Sequence, residues 1–240
     1  MRLIWDELRV AVPMIWHGNP YLFSIVWFTL QVAAVATAIA TVIGLPIALA
    51  LALGRFPGRQ FLRMLANASL ALPPVLVGAI LYLVMSVQAP LGSLRLIWTR
   101  EAVFIAQAIL ALPFIVALSV AAIQALPDGL LTQARLLGAG RRQLCTLALR
   151  EARIGVIAAV IAALGTSLSE VAAVSIIGGN IYGYDQTLAS ATLFEVDGAH
   201  YADAVAIAIV LVVLILILMC GLGLLQQQGG GIRMRFRSAT

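Results

Sequence analysis

Charged residues are absent from long runs of this chain and crowded between them: none falls in residues 21–54, 64–94, 102–127, 154–169 or 204–232. A helix needs about 20 apolar residues to cross a bilayer. The runs reach that length, the fourth by continuing past Glu170 to Ile177. The pattern therefore predicts an all-α polytopic membrane protein with five transmembrane helices. The first two runs have length to spare for tilt or an added turn at the surface. Proline falls inside three spans: Pro46, the pair Pro73 and Pro74, and Pro113. An interior proline removes a donor and kinks a helix, which is tolerated where neighbours or a cavity satisfy the freed carbonyl. Pro46 and Pro113 fit ordinary packing kinks. The pair predicts a full break in a helix that lines a passage. Small residues in the fourth run (Gly155, Ala158, Ala159, Ala162, Ala163, Gly165) permit close helix approach.

One long polar interval, residues 126–153, separates the third run from the fourth. It reads LPDGLLTQARLLGAGRRQLCTLALREAR and holds five of the fifteen arginines. Pro127 suits a first helical turn. Leu130, Ala134 and Leu137 follow at helical spacing, and Gly138 is a natural stop. The spacing predicts a basic, amphipathic helix-turn-helix between two spans, a surface built to be touched by another protein.

Composition agrees with the class: 62% of residues are hydrophobic, 10% charged, and the mean hydropathy is +1.06. The net charge of +5 comes from arginine alone, since the chain has no lysine. A phosphate-binding GxxxxGK[ST] loop is therefore excluded, and any ATP chemistry belongs to another subunit. Charge is also sided. The loop at 55–63, the polar interval and the C-terminal tail hold eleven arginines against Asp128 and Glu151. The remaining loops hold four arginines and seven carboxylates. The positive-inside rule then predicts an external N-terminus and a cytoplasmic C-terminus, and the basic charge reports topology rather than nucleic-acid binding. Residues 1–20 are expected as a retained amphipathic surface segment, 21–227 as the transmembrane domain, and 228–240 as a flexible basic tail near lipid headgroups.

Candidate chemistry is sparse. Glu170 is a carboxylate within an apolar segment, a costly placement. It is either a gate or path residue or a hydrogen-bonded tie between helices. Gly178, Gly179 and Asn180 suit a left-handed turn. A short helix is expected over 184–196, with Thr187 and Ser190 facing a passing solute or bonding to their own helix. His17 and His200 have no partners at metal spacing, and Asp197, His200 and Asp203 read as solvated surface. Cys145 and Cys220 form neither a metal motif nor a disulfide framework. No catalytic constellation, metal site or cofactor is expected.

The segment from Ala134 through LLGAGRRQLCTLAL resembles the E-A-A-x-x-x-G loop of ATP-binding-cassette (ABC) importer permeases. Thr132 and Gln133 stand at its first two positions, and Arg150 and Glu151 stand where Leu-Pro is common. ALPPVLVGAIL, residues 71–81, is similar to the second-span motif of molybdate and sulfate permeases. SEVAAVSIIGGNIYGYDQTLASA, residues 169–191, looks like the matching segment of tungstate-type permeases, with Ala172 for Gly and Asp185 and Gln186 for Thr-Arg. The resemblance implies the type I importer permease core working as a homodimer. It also implies two ABC ATPase subunits, an extracytoplasmic solute-binding protein, and residence in the inner membrane. It assigns ATPase coupling to Leu130, Ala134, Leu137 and Gly138, with Arg135, Arg141 and Arg142 at the rim. Path or gate roles fall to Ser169, Glu170, Gly178, Gly179, Asn180 and Thr187. The solute would be an oxyanion, tungstate first, with molybdate and sulfate open. The exchange of Arg for Asp near the outer mouth argues against a direct anion contact there. The rival is a secondary transporter or channel that uses Glu170.

Overall fold

The computed structural model describes residues 19–127 and 129–234. Of the surface segment expected at residues 1–20, residues 1–18 with His17 lie outside the described residues, as do Asp128 and residues 235–240.

The first helix, α1 (Pro20–Leu53), starts where sequence demands it. Asn19 Oδ1 accepts the Tyr21 N–H at 3.0 Å, and Pro20 takes the first helical position, where no donor is needed. Its other end is closed by a distant side chain. Arg59 donates Nε to Leu51 O (2.7 Å), Nη1 to Gly54 O (2.6 Å) and Nη2 to Ala52 O (3.0 Å). Three orphan carbonyls are thereby satisfied and a cation meets the negative end of the helix dipole.

Arg59 itself opens α2 (Arg59–Ala68), which passes through a 3₁₀ turn (Ser69–Ala71) into α3 (Pro74–Met85). The bend between the two halves is 103°. Its cause is the proline pair. A residue before proline is driven out of the helical region, and both Leu72 (ψ 128°) and Pro73 (ψ 125°) are extended. The predicted break is present.

The central helix is α4 (Arg100–Gln124), which packs against α1 along its length. Gly44 makes the approach possible: a Cβ there would lie 2.8 Å from Ile115 Cγ2. After α4 come α5 (Leu130–Leu136), α6 (Arg141–Glu151) and α7 (Arg153–Ser169). Pro127 lies three positions before α5 instead of opening it; its carbonyl accepts the Leu130 N–H at 3.2 Å, and Gly129 (φ +89°) makes the entry turn. α7 lies on α4, with Ala159 and Ala163 fully buried and Gly155 against Ala122. It bends by 60° into α8 (Ala172–Gly178), which packs on α3. The short helix expected over 184–196 is α9 (Leu188–Asp197), begun later because Thr187 is its cap.

The last helix, α10 (Tyr201–Met234), carries helical backbone past residue 227, the expected end of the transmembrane domain. A long apolar helix propagates cheaply through the three glutamines that follow it. Among the described residues, three helices (α1, α4 and α10) are long and apolar enough to cross a membrane alone; counting each bent pair as one span brings the number to five.

Candidate functional site

Two regions concentrate the predicted residues, one at each end of the bundle. At the basic end, α5 is bounded by two glycines in the left-handed region, Gly129 (φ +89°) and Gly138 (φ +86°). The second ends the helix as the sequence predicts, with Gly138 N–H donating to Arg135 O and Ala139 N–H to Ala134 O, both at 3.0 Å. Leu131 packs down onto the ends of α4 and α6 through Ile123, Ala148 and Ala152. Leu136 and Leu137 face the opposite way, 83% and 88% exposed. Leu130 and Ala134 are half-buried, and Arg135, Arg141 and Arg142 are exposed around them. An exposed apolar pair rimmed by arginines is what makes this step a candidate contact surface. Leu136 was missed by reading every third or fourth residue; the doublet of leucines was its signal.

Arg135 and Arg141 also border a cavity of about 690 Å³ that α1 and α6 share with the turn after α1, where Arg55 and Phe56 sit. The loop at 55–63 and the polar interval thus lie at the same end, as the charge pattern predicts.

At the other end, Glu170 sits in the bend between α7 and α8. It is 9% exposed, and its Oε1 accepts the Ala173 N–H at 3.1 Å. The carboxylate therefore caps the first turn of α8, a hydrogen bond within its own segment rather than a tie to another helix. Ser169 is exposed, with its hydroxyl turned back to Gly165 O and Thr166 O. Gly179 (φ +91°) and Asn180 (φ +52°) form the left-handed turn after α8. Gly178 has ordinary φ and serves closeness instead: a Cβ would fall 2.6 Å from Asp185 Oδ2. Asn180 Nδ2 donates to Ser190 O at 3.2 Å, and Thr187 Oγ1 accepts the Ser190 N–H at 3.3 Å. The turn thus brings Gly178, Gly179, Asn180 and Thr187 together, with the Thr187 side chain committed to its own helix.

This turn is pinned to the spans. Leu188 N–H donates to Thr29 Oγ1 at 2.8 Å, Tyr21 Oη to Gln186 Oε1 at 2.7 Å, and Arg100 Nε to Tyr184 O at 2.7 Å. The Arg100 guanidinium also covers the rings of Phe28 and Tyr184. Asp185 and Gln186 are fully buried, so they are staples of the turn rather than lining of a mouth. Asp185 Oδ1 accepts the Ile181 N–H at 2.6 Å. Burial raises its pKa above the ordinary carboxylate value, opposed by the backbone N–H groups of Ile181 and Asp185 and by Arg100. No sequence signal marked Tyr21, Arg100 or Gln186 as partners, because each contact spans more than eighty residues.

His200 does find partners. The reversal after α9 places it beside Glu195, with Nδ1 3.0 Å from Oε2, and Asp203 completes a group whose ligand atoms lie within 4.8 Å of one another. Sequence spacing pointed to Asp197 instead of Glu195, because it could not foresee that the turn returns the chain to residue 195.

Residues 40–228 match the family described as binding-protein-dependent transport system inner membrane component. A probable anion ABC transporter permease protein of Haloferax volcanii is 35% identical over 173 residues, 72% of this chain and 75% of that one. The tungstate uptake system permease protein of Campylobacter jejuni is 32% identical over 203 residues, 85% of each chain. Among solved structures, the inward-facing MetNI methionine ABC transporter superposes with a TM-score of 0.69 at 22% identity, covering 90% of this chain and 98% of that one. A bacterial ABC transporter that imports alginate gives 0.68 at 14% identity, covering 92% and 83%. With its apolar bundle and a family match over most of its length, this chain belongs to the binding-protein-dependent transport system inner membrane components, the multi-pass permease subunits of ABC importers.

Proposed function

We propose that the chain is the permease of a tungstate importer, with molybdate and sulfate as the nearest alternative solutes. The tungstate uptake permeases of Campylobacter jejuni and Peptoclostridium acidaminophilum, at 32% and 26% identity, support that choice. In this reading two copies of the chain form the pathway, and two ATPase subunits dock on the basic, cytoplasmic end. A solute-binding protein delivers the anion to the opposite, external end.

The observation that carries the coupling role is the outward Leu136–Leu137 pair on a step fixed by Gly129 and Gly138. Such a step transmits a push from the ATPase to α4, α6 and α7 without bending itself. Alternating access then moves the bend carrying Ser169 and Glu170, the turn at Gly178, Gly179, Asn180 and Thr187, and the break at Pro73 and Pro74. Movement at these points is the remaining basis for their gate role, since the Glu170 and Thr187 side chains are already bonded within the chain.

The test is reconstitution of the permease with its ATPase and binding protein, followed by ATPase rate with each loaded form. Stimulation by tungstate-loaded binding protein above the molybdate- and sulfate-loaded forms is expected. A stable complex stimulated by none of the three would remove the oxyanion assignment. Failure to bind the ATPase would remove the coupling role as well.

A further inference from the structure

We infer that the cavity at the basic end is a binding site for an anionic phospholipid, its headgroup phosphate held by Arg55, Arg135 and Arg141. The cavity has two chemically distinct parts. The guanidinium groups of Arg55, Arg135 and Arg141 supply its charge, and no carboxylate among the described residues lines it. None of the three has a hydrogen bond or ion pair to another described residue, whereas their neighbour Arg59 spends its donors on the end of α1. Guanidinium groups left together without acceptors suit phosphate oxygens, which they bind through paired N–H donors.

The inner wall is apolar. Pro46, Leu49, Ala50 and Leu53 line it from α1, and Leu144 faces them from α6. At 1.5 Å of rise per residue, the α1 wall extends about 10 Å from the arginines toward the centre of the span. A free anion or an acidic side chain of the ATPase would use the arginines and leave this wall wet. A phospholipid uses both, with phosphate at the arginines and the upper acyl chain along α1. Basic pockets between spans on the cytoplasmic side recognise anionic headgroups by this combination. At about 1 kcal/mol per arginine, each contributes roughly a five-fold change in affinity.

Cys145 lines the same cavity and is a built-in reporter. The full-length chain, with Cys220→Ser to leave one thiol, is placed in nanodiscs of phosphatidylcholine alone or mixed with phosphatidylglycerol. The readout is the rate at which a water-soluble maleimide alkylates Cys145, followed by intact mass. Phosphatidylglycerol is expected to slow the reaction at least five-fold. Arg55→Gln should relieve most of that protection, and Arg63→Gln, outside the cavity, should not. Arg55 is chosen because it lies off the proposed ATPase-docking step. Equal rates in the two bilayers, or protection that survives Arg55→Gln combined with Arg135→Gln, would overturn the site. Equal protection by inorganic phosphate in pure phosphatidylcholine would make it a free-anion pocket and overturn the lipid. Protection that needs the ATPase in either bilayer would assign the arginines to that subunit, again overturning the lipid. Native mass spectra of the unaltered chain give a second measure that needs no variant. Preferential retention of phosphatidylglycerol over phosphatidylcholine is expected, and equal retention counts against the site.

Discussion

At the residue scale, the carboxylate of Glu170 is a cap before it is anything else. Removing it leaves the Ala173 N–H without a partner in a buried bend, so Glu170→Ala is expected to destabilise the chain by about 1–3 kcal/mol. Glu170→Gln keeps an acceptor and should fold normally. Its uptake rate is expected to change with no change in preference among tungstate, molybdate and sulfate. Thermal unfolding of both variants and competition uptake for the second check this, and a selectivity switch would contradict it. Asp185 gives a pH prediction. Its pKa is raised from 3.8 by burial, so the folded state holds its proton more tightly than the unfolded chain does. Stability carried by this group is therefore greatest at low pH and declines as pH rises from about 3.8 through the raised value. In Asp185→Asn, which retains an acceptor for the Ile181 N–H, that part of the slope should vanish from a plot of Tm against pH.

At the scale of elements, α5 is a step whose outer surface is disposable for folding. Leu136 and Leu137 bury almost nothing within the chain, so Leu136→Ser with Leu137→Ser is expected to change stability by less than about 0.5 kcal/mol. It should nonetheless lose co-purification with the ATPase and the uptake that depends on it. Gly138→Asp should insert in the membrane and show the same uncoupling. Nothing lies within 4 Å of a Cβ there, so its folding cost is only that of the left-handed backbone, about 1–2 kcal/mol. Normal coupled uptake in either variant would remove the docking role.

For the whole molecule, the apolar helices and the short helix of the polar interval were legible because each rests on local chemistry. Runs without charge mark the helices, paired prolines force extended backbone, and a glycine after an amphipathic turn marks where α5 must stop. The outer turn was legible only as a turn. Its anchors are Thr29, Tyr21 and Arg100, and residues so far apart in sequence carry no mark of their pairing. Glu170 shows the same limit: sequence identified a costly carboxylate in an apolar segment, but only the fold shows the backbone N–H that accommodates it.

The 103° break has a further consequence for the bilayer itself. With α2 swung aside, its exposed Phe61, Leu62, Met64 and Leu65 beside Arg59 and Arg63 suit the membrane surface rather than its core. The crossing is then left to the 12 residues of α3, about 18 Å of helix against a hydrocarbon core of about 30 Å. That shortfall is a local hydrophobic mismatch, which a thinner bilayer beside α3 would relieve. The 34-residue α1 and α10 have length to spare for any bilayer, so the mismatch is confined to α3. Short-chain lipids should therefore be enriched beside that helix in a mixed bilayer, which photocrosslinking from its exposed face would read.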